Sequence, residues 1–181
     1  LKLKAGLEAT GWDAAGKVSL DIGASTGGFT QVLAEAGAAK IYAVDVGHGQ
    51  LHPEVAALPQ VVSLEGLNAR DLTAEIIAEP IDLLVCDASF VSITKIIAAP
   101  SALAAPGARA ILLIKPQFEV GRTHIGKGGI VVPGPHVEAA VARVIAAMAD
   151  LGWRHVLTVA SPIEGGDGNA ETIAAFAKSA G

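Results

Sequence analysis

A single cysteine, Cys86, stands in the 181 residues, and that scarcity excludes two scaffolds at once. No internal disulfide can form, and no structural zinc site can be built on thiolates. A reducing cytoplasm is the expected location. Charge is also scarce, at 17% of residues, with 13 Lys and Arg against 18 Asp and Glu. The resulting net charge of -5 excludes a chain that holds nucleic acid through global positive charge, because such binding neutralises phosphates with many cations. Any RNA affinity must be local or supplied by another module. Uninterrupted hydrophobic runs are missing despite a mean hydropathy of +0.50. The most apolar window, Ile96 to Ile114, contains Pro100, Pro106, Gly107 and Arg109, which divide it into pieces of helix and strand length. No stable membrane insertion is expected. The start at Leu1 lacks a Met and a basic signal region, and reads as a chain whose N-terminal part is missing. The histidines at 48, 52, 124, 136 and 155 show no metal-ligand spacing, so no metal is expected.

What is present is ample apolar content, 51% of residues, and a length that fits one domain over residues 1–181. Strand-length apolar runs recur at Val18 to Ile22, Ile41 to Val46, Val61 to Leu64, Ile81 to Val85, Ala110 to Ile114 and Val156 to Ala160. They are nearly continuous and rich in β-branched residues, the pattern of strands buried on both faces. Helical stretches at Phe29 to Ala36, Ala69 to Ala78, Ser92 to Leu103 and His136 to Leu151 alternate with them. The fold class is therefore α/β with a mostly parallel sheet. The Gly-rich segment Pro116 to Pro135 carries Arg122, His124 and Lys127 and reads as a functional loop. Residues Asn169 to Ser179 are ambiguous, since their alanines favour a helix.

The first strand runs into Asp21-Ile22-Gly23-Ala24-Ser25-Thr26-Gly27-Gly28-Phe29, after which a helix begins. Glycines 23, 27 and 28 let backbone approach a ligand beyond the carboxyl end of the strand, where open α/β sheets bind. The dinucleotide fingerprint fails, because its second glycine is Ser25, and Asp21 would repel a pyrophosphate. A cationic ligand without phosphate fits better, and S-adenosyl-L-methionine has an ammonium, a sulfonium and a ribose. Asp45 is placed to accept both ribose hydroxyls, Asn68 to read the adenine edge, and Asp87 to face the same crevice. Val46 and Ala69, their neighbours, complete the expected cofactor-binding set.

LDIGASTGGFT, YAVDVGHGQL, LEGLNAR, CDASFVSI, LLIKPQFEVGR, GKGGIV and SPIEGGDGN resemble, in order and spacing, the TlyA family of ribosomal RNA 2'-O-methyltransferases. Those proteins are often labelled hemolysins and have an FtsJ-like catalytic domain. The resemblance implies a Rossmann-like S-adenosylmethionine-dependent methyltransferase fold: a mostly parallel seven-stranded sheet with helices on both faces and an antiparallel last strand. It implies ribosomal RNA or ribosomal subunits as partner and a cytidine ribose as target. It also implies a catalytic tetrad, which by motif falls on Lys2, Asp87, Lys115 and Glu171, with Glu164 the competitor for the last place. Family members usually carry an N-terminal S4-like RNA-binding domain, which has no counterpart here, so weak RNA binding by this chain is expected.

Methyl transfer to a ribose hydroxyl needs alignment and a base. Lys115 can serve as that base only in its neutral form, which a neighbouring cation such as Lys2 and partial burial would favour. Phe118 either stacks on a flipped base or anchors its loop, and Phe29 packs the helix beneath the cofactor. Strand alternation turns Cys86 away from the side of Asp87, which disfavours a cysteine nucleophile. Two other readings are a membrane-active hemolysin, for which neither a span nor a strongly basic amphipathic helix is visible, and a nicotinamide oxidoreductase, which Ser25 disfavours.

Overall fold

The computed structural model describes residues 1–180; Gly181, the end of the expected domain, lies outside the described residues. The chain runs through α1 (Lys2–Thr10), β1 (Val18–Ile22), α2 (Gly28–Glu35), β2 (Lys40–Asp45), α3 (Pro53–Ala56), β3 (Val61–Glu65) and β4 (Ile81–Cys86). It continues through α4 (Ala98–Ala102), β5 (Ala104–Ile114), α5 (Pro116–Glu119), α6 (Pro135–Asp150), β6 (Trp153–Ala160) and β7 (Thr172–Lys178). One seven-stranded sheet has the order β3-β2-β1-β4-β5-β7-β6. β1 to β5 pair in parallel, and β7 is antiparallel to both β5 and β6. The order reverses at β1, so the tips of β1, β2 and β4 open a crevice on their carboxyl side.

The continuous apolar runs of β1, β2, β4 and β5 became central strands for the reason given by their pattern, whereas Val61–Glu65 and Trp153–Ala160 form the two edge strands and stay partly exposed. Leu20, Ile41, Leu84, Val85 and Cys86 are essentially inaccessible, and each central strand packs on both faces. The final segment is a strand despite its alanines. Ala174, Ala175 and Phe176 are fully buried between β5 and β6, so packing between two strands overrides helix propensity.

Three expectations are corrected. Ala69 to Ala78 is not a helix. Only Ala69–Asp71 forms a 3-10 turn, and its buried apolar residues after the turn, Leu72 and Ile77, are five apart, a spacing that gives no helical stripe. Ser92 to Leu103 divides into a 3-10 turn at Ile93–Lys95 and the short α4. Pro100 falls within the first turn of α4, where a missing amide is tolerated. The strand expected at Ala110 begins at Ala104. The helix α1 lay outside the expected set; Gly6 brings it so close to the sheet that a Cβ there would stand 3.1 Å from Ile111 and 3.2 Å from Ile173. That approach carries Lys2 to the end of β7. Gly11, with φ 71°, ends the helix.

Candidate active site

A cavity of about 490 Å³ lies at the tips of β1, β2 and β4, within the range of small-molecule sites. Gly23, Ser25, Asp45, Val46, Asn68, Ala69 and Asp87 of the expected set line it. Gly23 is required there twice over. Its φ is +76°, and a Cβ would meet the Asp87 carbonyl oxygen at 2.7 Å, so a side chain would force the β1 turn away from β4. The remaining turn residues support the cavity from outside. Ala24 is buried with Leu51 and Val55, and Gly27 makes room for those two side chains, with Leu51 Cδ1 2.7 Å from where a Cβ would be. Gly27 and Gly28 open instead on a groove of about 500 Å³ along Gln31 and His52. Phe29 packs with Leu3 and Leu33 under the sheet.

The carboxylates differ in how they are held. Asp45 Oδ2 accepts the Ser25 amide at 2.7 Å and Oδ1 the Gly47 amide at 2.8 Å. Each oxygen has a second lone pair for a ligand, so one residue fixes the turn and still offers acceptors. Asn68 Oδ1 accepts from the Arg70 amide at 3.1 Å, capping the 3-10 turn, and the side chain borders the cavity. Asp21 is fully buried. Thr30 Oγ1 donates to its Oδ2 at 2.6 Å, whereas Oδ1 has no hydrogen-bond partner among the described residues. Burial, reinforced by the charges of Asp87 and Asp45, raises its pKa from 3.8 to about 7 against the opposing Thr30 bond. A cationic ligand near these three carboxylates would relieve that cost.

Two lysine–carboxylate pairs stand beside this cavity's end of the sheet. Lys115, at the end of β5, places Nζ 2.6 Å from Asp87 Oδ1. That contact lacks the angle of a directed hydrogen bond; Nζ directs its bond to Ser89 Oγ at 2.8 Å. Lys2 Nζ donates to Glu171 Oε1 at 2.6 Å, joining residues at opposite ends of the chain. The Glu171 side chain is 2% exposed, and Gly165 makes space for its other oxygen, which would lie 2.4 Å from a Cβ there. Glu164 is exposed. Each lysine faces a carboxylate, so the cation expected to favour neutral Lys115 is itself paired with Glu171. Cys86 is buried, and burial pushes its thiol up to about 12, which leaves it inert.

Sequence reasoning missed the loop after Asp87. Ala88, Ser89, Phe90 and Val91 form one wall of the cavity, and Lys95 with Arg70 adds positive charge at its edge. Phe90 is 90% exposed with φ 68°, and its ring lies 5.4 Å from that of Phe118.

A family model described as FtsJ-like methyltransferase matches residues 1–178. The chain belongs to the FtsJ-like methyltransferase family. Within it, the chain is 46% identical over 171 residues to the 16S/23S rRNA (cytidine-2'-O)-methyltransferase TlyA of Mycobacterium tuberculosis, covering 94% of this chain and 63% of that protein. It is 43% identical over 163 residues to Hemolysin A of Brachyspira hyodysenteriae, covering 88% of this chain and 67% of that protein. A solved structure named for a hemolysin from Streptococcus thermophilus superposes with a TM-score of 0.93 at 36% identity, covering 98% of this chain and 65% of the other. The chain thus spans under two thirds of the length of its TlyA relative. The FtsJ-like sheet, with its antiparallel last strand, is the one observed here. Among the described residues no helix is long and apolar enough to cross a membrane.

Proposed function

We propose that this chain is the catalytic domain of an S-adenosylmethionine-dependent ribosomal RNA 2'-O-methyltransferase that acts on a cytidine ribose in the cytoplasm. The observation that carries the reading is the Lys115–Asp87 pair, whose aspartate lines the cavity together with Asp45. The residues fit the cofactor: Asp45 offers acceptors to ribose hydroxyls, Asn68 borders the adenine side, and the buried charge of Asp21 suits a cation. When bound, the cofactor supplies an electrophilic methyl on a positively charged sulfur.

The chain's own residues do the rest. Asp87 and Lys115 orient the ribose hydroxyl for an in-line approach, and holding that geometry supplies much of the acceleration. Lys115 takes up the hydroxyl proton once its own has passed to a neighbour, and Asp87 at 2.6 Å is the nearest acceptor. Lys2 and Glu171 fix the far side of the site as a nearly buried pair. RNA phosphates meet exposed Arg122 and Lys127. The substrate assignment follows the name of the TlyA relative and rests on 63% of that protein's length.

Asp45→Ala is expected to weaken cofactor binding by roughly 1.5 to 3 kcal/mol, the scale of a hydrogen bond to a charged group. Isothermal titration with S-adenosylmethionine measures this, and a parallel titration with NAD should give no binding heat. Unchanged affinity in Asp45→Ala would remove that residue from the site, and NAD binding in its place would favour the oxidoreductase.

A further inference from the structure

We infer that Glu119 is a positioning residue whose carboxylate clamps the loop between Asp87 and Ile93, and so holds one wall of the cofactor cavity against Lys115. The inference rests on the S-adenosylmethionine reading of that cavity. Lys115-Pro116-Gln117-Phe118-Glu119 presents two charged side chains to the same loop. Lys115 reaches its start, at Asp87 and Ser89. Four residues later Glu119 reaches its end, where Oε2 accepts the Ser92 hydroxyl at 2.7 Å and Oε1 the Ile93 amide at 2.8 Å. The clamp is itself anchored, because the Glu119 carbonyl accepts from Arg143 of α6 at 2.8 Å.

What lies between the two contacts explains the need for both. Phe90 holds a left-handed backbone, φ 68°, with its side chain 90% exposed, a conformation that bulky residues keep only when their surroundings enforce it. Lys115 and Glu119 bracket that residue. Ala88, Ser89, Phe90 and Val91 line the cavity, so slackening the loop would move both the wall and the Ser89 hydroxyl that receives the Lys115 bond. Glu119 is half-buried, and burial raises its pKa against the two hydrogen bonds. A carboxylate serving only solubility would lie in water.

The test pairs titration of this chain with S-adenosylhomocysteine and amide hydrogen exchange. In Glu119→Ala, affinity should fall by about tenfold or more, the scale of a lost hydrogen bond to a charged group. Exchange should accelerate over residues 88–93 while β1 and β4 stay protected. Glu119→Gln should be rescued to within about threefold of wild type, since its carbonyl accepts the Ile93 amide and its amide meets the Ser92 hydroxyl. Ser92→Ala, which leaves the carboxylate intact, should fall between the two. If wild type binds and both Glu119→Ala and Ser92→Ala match it, the clamp is overturned while the cofactor reading stands. Should Glu119→Ala lose β1 and β4 protection through unfolding, Ser92→Ala decides alone: unchanged affinity and exchange overturn the clamp. Failure of wild type to bind would overturn the cofactor reading, and the clamp's role with it.

Discussion

Lys115→Ala is expected to lower the methylation rate on ribosomal RNA by about 100-fold or more, the lower bound for losing general-base assistance, while cofactor affinity falls by no more than the roughly tenfold that slackening the loop after Asp87 would cost. The asymmetry follows from where the lysine sits. Its ammonium pairs with Asp87 at 2.6 Å and bonds Ser89, and among these three residues Asp87 and Ser89, not Lys115, line the cavity. Removing it leaves the Asp87 charge facing a cationic ligand, which cannot weaken that attraction. It does remove the group that orients and deprotonates the hydroxyl. Single-turnover rates and equilibrium titration on the same variant separate the two effects. Near-normal turnover would refute the assigned role, and an equal loss in binding and rate would make Lys115 a cofactor ligand.

Asp21→Asn should stabilise the ligand-free chain at neutral and alkaline pH and weaken cofactor binding. Folding raises the pKa of Asp21 from 3.8 to about 7 through burial. Between those values the native state keeps a proton that the unfolded state has lost, so this group's contribution to stability falls as pH rises through the window. The full cost, present above about pH 7, is on the order of 4 kcal/mol at most. Asparagine carries no charge, and its carbonyl still accepts from Thr30, but its amide places an unpartnered donor where Oδ1 stands, costing about 1 to 3 kcal/mol. A net gain of about 1 to 3 kcal/mol at pH 8 is expected, or roughly 3 to 8 °C in Tm. Near pH 4, where native wild-type Asp21 is also neutral, the gain should reverse to a loss of about 1 to 3 kcal/mol, the asparagine penalty alone. Thermal melts at both pH values check this, and a pH-independent difference would show that buried charge is not the cause. Cofactor affinity should fall by a few-fold, since Asp21 is buried behind the cavity lining and attracts a cationic ligand only through its charge.

The parts of this account legible in the sequence are those with a local cause. Leu20, Leu84 and Cys86 announced buried strands by their continuous apolar neighbours, and Gly23 announced a close approach by its place after a strand. Asp45 and Asp87 were readable as strand-tip carboxylates. Lys2 and Glu171 were not readable from spacing, because 169 positions separate them and the juxtaposition depends on β7 entering between β5 and β6. The resemblance to TlyA proteins supplied them. Glu119 was passed over because nothing in KPQFE shows that the chain turns it onto Ser92 and Ile93, and Phe90 because a positive φ at an aromatic residue leaves no mark in composition. Ala69 to Ala78 misled through its alanines and amphipathic look, whereas the alanines of β7 left that segment ambiguous, and the final strand implied by the resemblance is the one observed between β5 and β6.

The central claim is most directly tested by mass-spectrometric mapping of ribose methylation in ribosomal RNA from cells with the full-length protein, cells without it, and cells carrying its Lys115→Ala form. The account predicts a cytidine 2'-O-methyl present in the first and missing from the other two. Identical methylation in all three, or a lost methyl that sits on a base instead of a ribose, would contradict it.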